Sequence, residues 1–264
     1  NRPASFCGIA GFKPSYGRVP LEGVALYSPS ADTVGFFAAT VTEMAHVASA
    51  AIPNWTESGS KAAAESFVLG VPDGAYLQAF TKESLDHFRI ALSCVQNLGM
   101  KVKWISGTMD DFEDVARRHI AMTKGEWART LAGVWDTHGA LFKANTAMEM
   151  LIGLQVHQEE VDAGRWGREV LRMELEAAMD MHGIDAWITP GALQGSAPVS
   201  LASTGDSRGQ LPWTHAGLPT LSLPAALMSP KVGGPLPTGV QLAARYGQDE
   251  LLLACGTQLE ASGF

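Results

Sequence analysis

The sequence predicts an α/β fold, because patterns typical of strands and of helices alternate along the chain. A short apolar run over 66–72, ended by a proline, indicates a buried strand. Apolar residues then recur at helical spacing over 82–98, and Gly99 follows as the expected cap. Alternation over 101–105 predicts a second, half-buried strand. This order is typical of a right-handed crossover between parallel strands.

The remaining elements follow in chain order. Residues 110–160 are predicted to be mostly helical, and Asp110 and Glu113 have the spacing of a capping box at the start. A further helix is expected over 167–182, followed by a strand over 184–189 that stops at Pro190. The segments 53–65 and 191–216 have the composition of loops. Two last strands, over 219–223 and 239–243, precede a helix over 249–260.

Composition limits the classes of function. The chain has 264 residues, 46% of them hydrophobic, and a formal net charge of −8, which disfavours nucleic acids and anionic membranes as partners. No apolar run is long enough to predict a membrane span. Three scattered cysteines, Cys7, Cys94 and Cys255, are interpreted as buried reduced thiols, which predicts a cytoplasmic protein without disulfides.

Three ordered blocks of residues carry a family resemblance. The first is the run from residue 1, Asn-Arg-Pro-Ala-Ser-Phe-Cys-Gly-Ile-Ala-Gly-Phe-Lys-Pro-Ser-Tyr-Gly-Arg-Val. The second is Ser-Ala-Asp-Thr-Val-Gly-Phe-Phe-Ala-Ala-Thr-Val over 30–41. The third combines Gly-Leu-Pro-Thr-Leu-Ser-Leu-Pro over 217–224 with Leu-Pro-Thr-Gly-Val-Gln-Leu over 236–242 and Asp-Glu-Leu-Leu over 249–252. Together they resemble the amidase signature family.

The resemblance implies an amidase-signature α/β/α sandwich, whose mixed central sheet has helices on both faces. The chain would be the carboxy-terminal portion of a single domain, with the amino-terminal part missing. Family members use a Ser–cis-Ser–Lys triad, in which a serine attacks an amide carbonyl and forms an acyl-Ser intermediate. The nucleophile is expected about two residues before Asn1, so no catalytic residue is expected in this chain. The resemblance implies neither a cofactor nor a metal.

Several residues are expected to support the site without reacting. The first block supplies residues that should support the signature loop: Pro3, Phe6, Cys7, Gly8 and Gly11. Asp32 in the second block is interpreted as a hydrogen-bonding support, with direct substrate contact as the alternative. Trp213, Thr214 and His215 precede the third block and are predicted to bind substrate, although a satisfied loop histidine is the preferred interpretation of His215 taken alone.

Other patterns are weaker. Residues 205–209 match Gly-x-Ser-x-Gly around Ser207, but no helix start follows, so a surface turn is predicted. Ser58 and Lys61 match Ser-x-x-Lys within a polar loop. The seven histidines lack metal-binding spacing, and no zinc site is predicted. The apolar residues of 148–154 could form either the wall of a substrate cleft or ordinary core.

The preferred function is therefore amide-bond hydrolysis, to which this chain contributes scaffold and substrate cleft. One alternative is a subunit of a glutamine-dependent amidotransferase with the same fold, and another is a catalytically silent scaffold fragment. The chain alone is predicted to be inactive and to expose apolar surface. The predicted partner is a small-molecule amide substrate, and a homodimer is possible.

Overall fold

The computed structural model describes residues 1–56, 67–194, 205–228 and 236–264. Its centre is a mixed seven-stranded sheet in the order β2-β1-β6-β7-β5-β3-β4. The strands are β1 (Ala10–Lys13), β2 (Phe36–Ala38), β3 (Val68–Asp73), β4 (Lys101–Ser106), β5 (Ala186–Pro190), β6 (Thr220–Met228) and β7 (Leu236–Ala243). The predicted α/β class with a mixed sheet is confirmed.

Ten α-helices connect or cover these strands within the described ranges. They are α1 (Arg2–Cys7), α2 (Val41–Ala51), α3 (Ala75–Gln78), α4 (Lys82–Asn97), α5 (Phe112–Thr130), α6 (Ala132–His138), α7 (Ala144–Leu154), α8 (Gln158–His182), α9 (Leu211–His215) and α10 (Asp249–Ala261). Short 3₁₀ turns occupy Gly139–Leu141 and Arg208–Gln210.

The strand directions divide the sheet into two parts. Strand β3 pairs in parallel with β4 and with β5, as the predicted crossover through α4 requires. Strand β7 pairs antiparallel with both β5 and β6, and β6 pairs antiparallel with β1. The last two strands of the chain therefore lie in the middle of the sheet.

The two faces of the sheet differ in chemistry. One face carries the aliphatic positions of the central strands, including Leu221 and Leu242, which are fully buried. Helix α10 comes close to this face, because a Cβ on Gly256 would lie 2.3 Å from Leu221 Cδ2. The opposite face carries α1 and α9, and side chains from β5, β6 and β7 that include polar groups. Helices α7 and α8 both pack on α5, and α5 and α8 contact α9.

Local sequence signals explain several helix ends. Thr40 caps α2 by accepting a hydrogen bond from the Glu43 N–H, and Glu43 Oε2 accepts from the Ala39 N–H. Helix α4 ends as predicted, with Gly99 in the left-handed region at φ +86°. Helix α8 begins at Gln158, earlier than predicted, behind a capping box made by His157 and Glu160.

Three expectations about local structure are wrong. Helix α5 begins after Asp111 without a side-chain cap, so Asp110 and Glu113 form no capping box. Strand β4 is mostly exposed, with Trp104 at 52%, because it lies at the edge of the sheet. The segment predicted as a loop over 191–216 contains α9, whose aromatic side chain is anchored in the core.

The cysteine prediction is wrong for two of the three thiols. Cys7 and Cys94 are exposed, and only Cys255 is buried. Cys7 is the last residue of α1, and Cys94 lies on the solvent-facing side of α4. No disulfide joins the three side chains.

Helix α7 and the turn before it expose apolar side chains. Met150 is buried, but Leu141 is 79% exposed and Met148 is 59% exposed. Leu151, Ile152 and Leu154 are also exposed, so the ordinary-core interpretation of 148–154 holds only for Met150.

Candidate functional site

Helix α1 lies directly on three glycines of the sheet region. A Cβ on Gly11 would lie 2.5 Å from Ala4 Cβ, and one on Gly191 would lie 2.5 Å from Ser5 Oγ. A Cβ on Gly239 would lie 3.0 Å from the same hydroxyl oxygen. Contacts this short exclude larger residues, so these glycines set how closely α1 approaches the strands.

Beneath α1, a row of polar side chains crosses the sheet. Gly11 of β1 pairs with Ser222 of β6, Ser222 pairs with Gln241 of β7, and Gln241 pairs with Thr189 of β5. Paired residues point to the same face, so the three polar side chains form one row, called the polar row below. They are almost inaccessible, at 0% for Ser222 and 1% for Gln241 and Thr189.

The polar row has unused hydrogen-bonding capacity. Among the described residues, Ser222 Oγ and Gln241 Nε2 have no hydrogen-bond partner, and neither does Ser5 Oγ above them, whereas the Thr189 side chain interacts with the Tyr76 hydroxyl. The Asn1 side-chain amide donates to Gln241 Oε1 at 3.0 Å. Buried polar atoms without partners are rare in folded proteins, and each calls for an explanation such as a bound water, an ion or a catalytic role. The start of α1 and the polar row therefore form the candidate site.

Backbone contacts connect a second glutamine to this site. Gln210 Nε2 donates to the Gly191 carbonyl oxygen at 2.8 Å, and the Gly191 N–H donates to the Gly239 carbonyl oxygen at 2.8 Å. Gln210 Oε1 has no partner among the described residues. The loop after β5 is thus fixed to β7 beside the polar row.

An aromatic cluster borders the polar row. Trp187 lies two residues before Thr189 on the same face of β5, and its ring centroid is 6.3 Å from that of Trp213. Trp213 Nε1 donates to the Tyr76 hydroxyl at 3.0 Å, and that hydroxyl donates to the Gly209 carbonyl oxygen at 2.7 Å. Burial raises the pKa of Tyr76 to about 12. Trp213 thereby anchors α9 in the core.

His215 is paired with a second buried histidine. Its Nδ1 lies 3.2 Å from His119 Nδ1, so one ring donates and the other accepts. Burial lowers the pKa of His119 to about 4 and that of His215 to about 3. His215 Nε2 lacks a partner among the described residues, and Arg168 Nε donates to the His215 carbonyl oxygen at 3.0 Å. Both histidines are therefore neutral at physiological pH.

A partly buried amine lies on the same face as the polar row. Lys13 is two residues along β1 from Gly11, and its Nζ donates to the Pro14 carbonyl oxygen at 2.9 Å. Burial lowers its pKa to about 7, although Asp249 opposes this shift. An amine with such a pKa is present in both protonation states near neutral pH.

The second sequence block is held by a buried carboxylate. Glu126 of α5 is 2% exposed and accepts from Ser28 Oγ at 2.6 Å, Ser30 Oγ at 2.5 Å, the Ser30 N–H at 3.0 Å and Arg165 Nε at 2.7 Å. Burial alone would raise the pKa of Glu126, but these bonds outweigh it and lower the pKa. Asp32 Oδ2 accepts from the backbone N–H groups of residues 27 and 28, at 2.6 and 3.0 Å.

The structure places the predicted support residues in and around α1. Pro3, Phe6 and Cys7 belong to the helix, Gly8 ends it at φ +66°, and Gly11 lies beneath it. Their proposed support of a catalytic loop stays a prediction. The same holds for Trp213, Thr214 and His215, of which Trp213 and His215 are 0% and 1% exposed and thus point into the protein.

Neither competing serine motif places a nucleophile at this site within the described residues. Ser207 is exposed, as expected for a surface turn, but the 3₁₀ turn that follows runs into α9 at Leu211, so the expectation that no helix starts there is wrong. Ser58 and Lys61 lie outside the described residues. Within the described ranges, no group of three or more His, Cys, Asp or Glu side chains could hold a metal ion. No described helix has the length and apolar character that crossing a bilayer requires.

Comparison with known proteins identifies related chains. The family model described as Amidase matches residues 1–253. An indoleacetamide hydrolase from Allorhizobium ampelinum is 25% identical, with 98% of this chain and 60% of that protein covered. One subunit of the glutamyl-tRNA(Gln) amidotransferase from Synechococcus sp. (strain CC9311) is 26% identical, with 99% and 61% covered.

A solved structure described as an amidase has a TM-score of 0.80 and 29% sequence identity. The alignment covers 98% of this chain and 59% of that one. The chain thus spans about 60% of the length of the relatives that it matches.

Proposed function

Because the chain belongs to the amidase family, we propose that the protein carrying it hydrolyses the carbon–nitrogen bond of a small carboxamide. The observation that carries the proposal is the polar row beneath the start of α1. Its buried hydroxyls without partners, Ser222 Oγ and Ser5 Oγ, suit a ligand that both donates and accepts hydrogen bonds. A carboxamide has this combination of groups.

The proposed chemistry follows from the resemblance. A serine in the segment before Asn1 attacks the amide carbonyl, its proton passes to a base, and the amine leaves with a proton. Water then hydrolyses the acyl-serine ester and releases the carboxylic acid. In this proposal, residues 1–264 provide the sheet, the polar row and the aromatic border, and the nucleophile comes from outside these residues. Residues 1–264 alone are proposed to be inactive.

Two relatives suggest different substrates for the proposed reaction. The indoleacetamide hydrolase favours an aromatic carboxamide, and the aromatic cluster beside Thr189 is consistent with that choice. The amidotransferase relative supports the alternative, for which the family resemblance implies glutamine as the ammonia donor. The net charge of −8 disfavours a tRNA-linked role, so simple amide hydrolysis is the preferred proposal.

The test is ammonia release by the protein at its natural length, with indole-3-acetamide, an aliphatic carboxamide and glutamine as substrates. Release from a simple amide in the absence of any partner supports hydrolysis, whereas release from glutamine alone favours the amidotransferase. A folded protein that releases ammonia from none of them contradicts the proposal. A parallel assay of residues 1–264 tests their proposed inactivity.

A further inference from the structure

Gln241 is the central member of the polar row and its direct link to α1. It lies between Ser222 and Thr189, on the adjacent strands, and is 1% exposed. Its Oε1 accepts from the Asn1 amide at 3.0 Å, while its Nε2 has no partner among the described residues. One buried side chain therefore connects the middle of the sheet to the residue at which α1 begins.

The Asn1 side chain makes its hydrogen bond to Gln241 and not to the helix that follows. An asparagine before a helix usually accepts a hydrogen bond from a backbone N–H of the first turn. Asn1 is the N-cap residue of α1 but makes no such side-chain bond. The Asn1–Gln241 hydrogen bond therefore fixes the position of the chain at this point and does not serve to cap the helix.

The remaining contacts of α1 fix its height above the sheet. Ala4 and Ser5 rest on the glycines beneath them, which limits how closely the helix approaches. Packing of small residues permits sliding along the surface, whereas a buried directional bond opposes it. Arg2 Nη1 donates to the Gly205 carbonyl oxygen at 2.5 Å and adds a second directional contact from the loop side.

We propose that Gln241 is a positioning residue, which holds Asn1 and thereby fixes the path of the chain that enters α1. This inference rests on the proposed function, because the resemblance implies that the segment entering α1 carries the nucleophile. A small displacement of that segment would separate the nucleophile from the substrate carbonyl. Displacements of about 1 Å can lower turnover on the order of 100-fold.

The experiment uses the protein at its natural length. Gln241→Met keeps the size of the side chain and removes the acceptor, and Asn1→Ala removes the donor from the other side. Each change should lower kcat about 10- to 100-fold and change KM less than about threefold. The double variant should lose no more than the stronger single variant, because both changes break one bond. Gln96→Met, on the exposed side of α4, is the matched control and should leave kcat unchanged.

Hydrogen–deuterium exchange provides a readout that is independent of catalysis. Exchange over residues 2–9 should accelerate at least about threefold in Gln241→Met and in Asn1→Ala, and remain unchanged in Gln96→Met. If the natural protein hydrolyses no amide, the exchange data still test the positional claim. Should Gln241→Met fail to fold, Asn1→Ala carries the test. Unchanged exchange over 2–9, or additive kcat losses in the double variant, would overturn the inference.

Discussion

Replacing the buried Glu126 by glutamine should destabilise the protein by about 2–3 kcal/mol. One carboxylate oxygen accepts from Ser30 Oγ and Arg165 Nε, and the other from Ser28 Oγ and the Ser30 N–H. In one orientation of the new amide, its NH₂ group faces the Arg165 N–H. In the other, it faces the Ser30 N–H. Either orientation places two donors against each other, and both lose the negative charge.

The magnitude follows from these contacts. A hydrogen bond to a charged group is worth about 1.5–3 kcal/mol, and a buried donor left without a partner adds a similar cost. Water can hydrogen-bond to the Arg165 guanidinium and so reduces this cost, because the Arg165 side chain is 45% exposed. The remaining loss should lower the urea midpoint by about 1 M, measured by circular dichroism on the folded chain.

Glu149→Gln is the matched control for this change. Glu149 pairs with Lys124 at 2.7 Å, but its side chain is 47% exposed, so its loss should cost less than about 1 kcal/mol. If Glu126→Gln shifts the midpoint no more than Glu149→Gln does, the buried network contributes no stability and the reasoning is refuted.

Three further predictions concern other regions of the structure. Gly11→Ala should destabilise the protein by about 1–3 kcal/mol in thermal melts, because its Cβ would lie 2.5 Å from a methyl carbon of α1. Gly133→Ala is the control, because nothing lies within 4 Å of the added Cβ, and it should not destabilise the protein. Equal melting temperatures of the two variants would contradict the close packing at Gly11. Burial lowers the pKa values of His119 and His215 to about 4 and about 3, so the unfolded chain binds protons first as the pH falls. Stability should therefore drop from about pH 6.5 down to about pH 4 for His119 and pH 3 for His215, by about 2 kcal/mol per histidine between pH 7 and 5. Equal urea midpoints at pH 7 and pH 5 would argue against a neutral pair. A maleimide should label the two exposed cysteines of the native protein within minutes and Cys255 only after unfolding; native labelling of Cys255 in mass spectra would show that its site opens.

Long periodic elements could be predicted from the sequence, and short ones fixed by packing could not. The apolar spacing of 82–98 and the following Gly99 locate α4 within about one residue of its observed ends. Helix α1 gives no such signal, because six residues that begin with Arg-Pro have no period to detect. It packs on Gly11, four residues after its end, and on Gly191 and Gly239, which lie far away in the sequence.

The polar row could likewise be predicted only in part from the sequence. Ser222, Gln241 and Thr189 each interrupt an aliphatic strand, in Leu-Ser-Leu, Val-Gln-Leu and Ile-Thr-Pro. One polar residue at an inward position of each of three strands is a signal that sequence reasoning could have used. Their side-by-side alignment depends on strand order and register, which the sequence alone does not specify.

The position of β6 and β7 bears on how the chain reaches its native state. Strand β1 has β6 as its inner neighbour, and β5 has β7, so both halves of the sheet remain open until residues 220–243 arrive. These contacts join distant parts of the chain, and such topologies fold slowly. During synthesis, the early strands would present uncovered edges while the ribosome completes the centre. Closure of the sheet would then be a late event, in which chaperones have time to act.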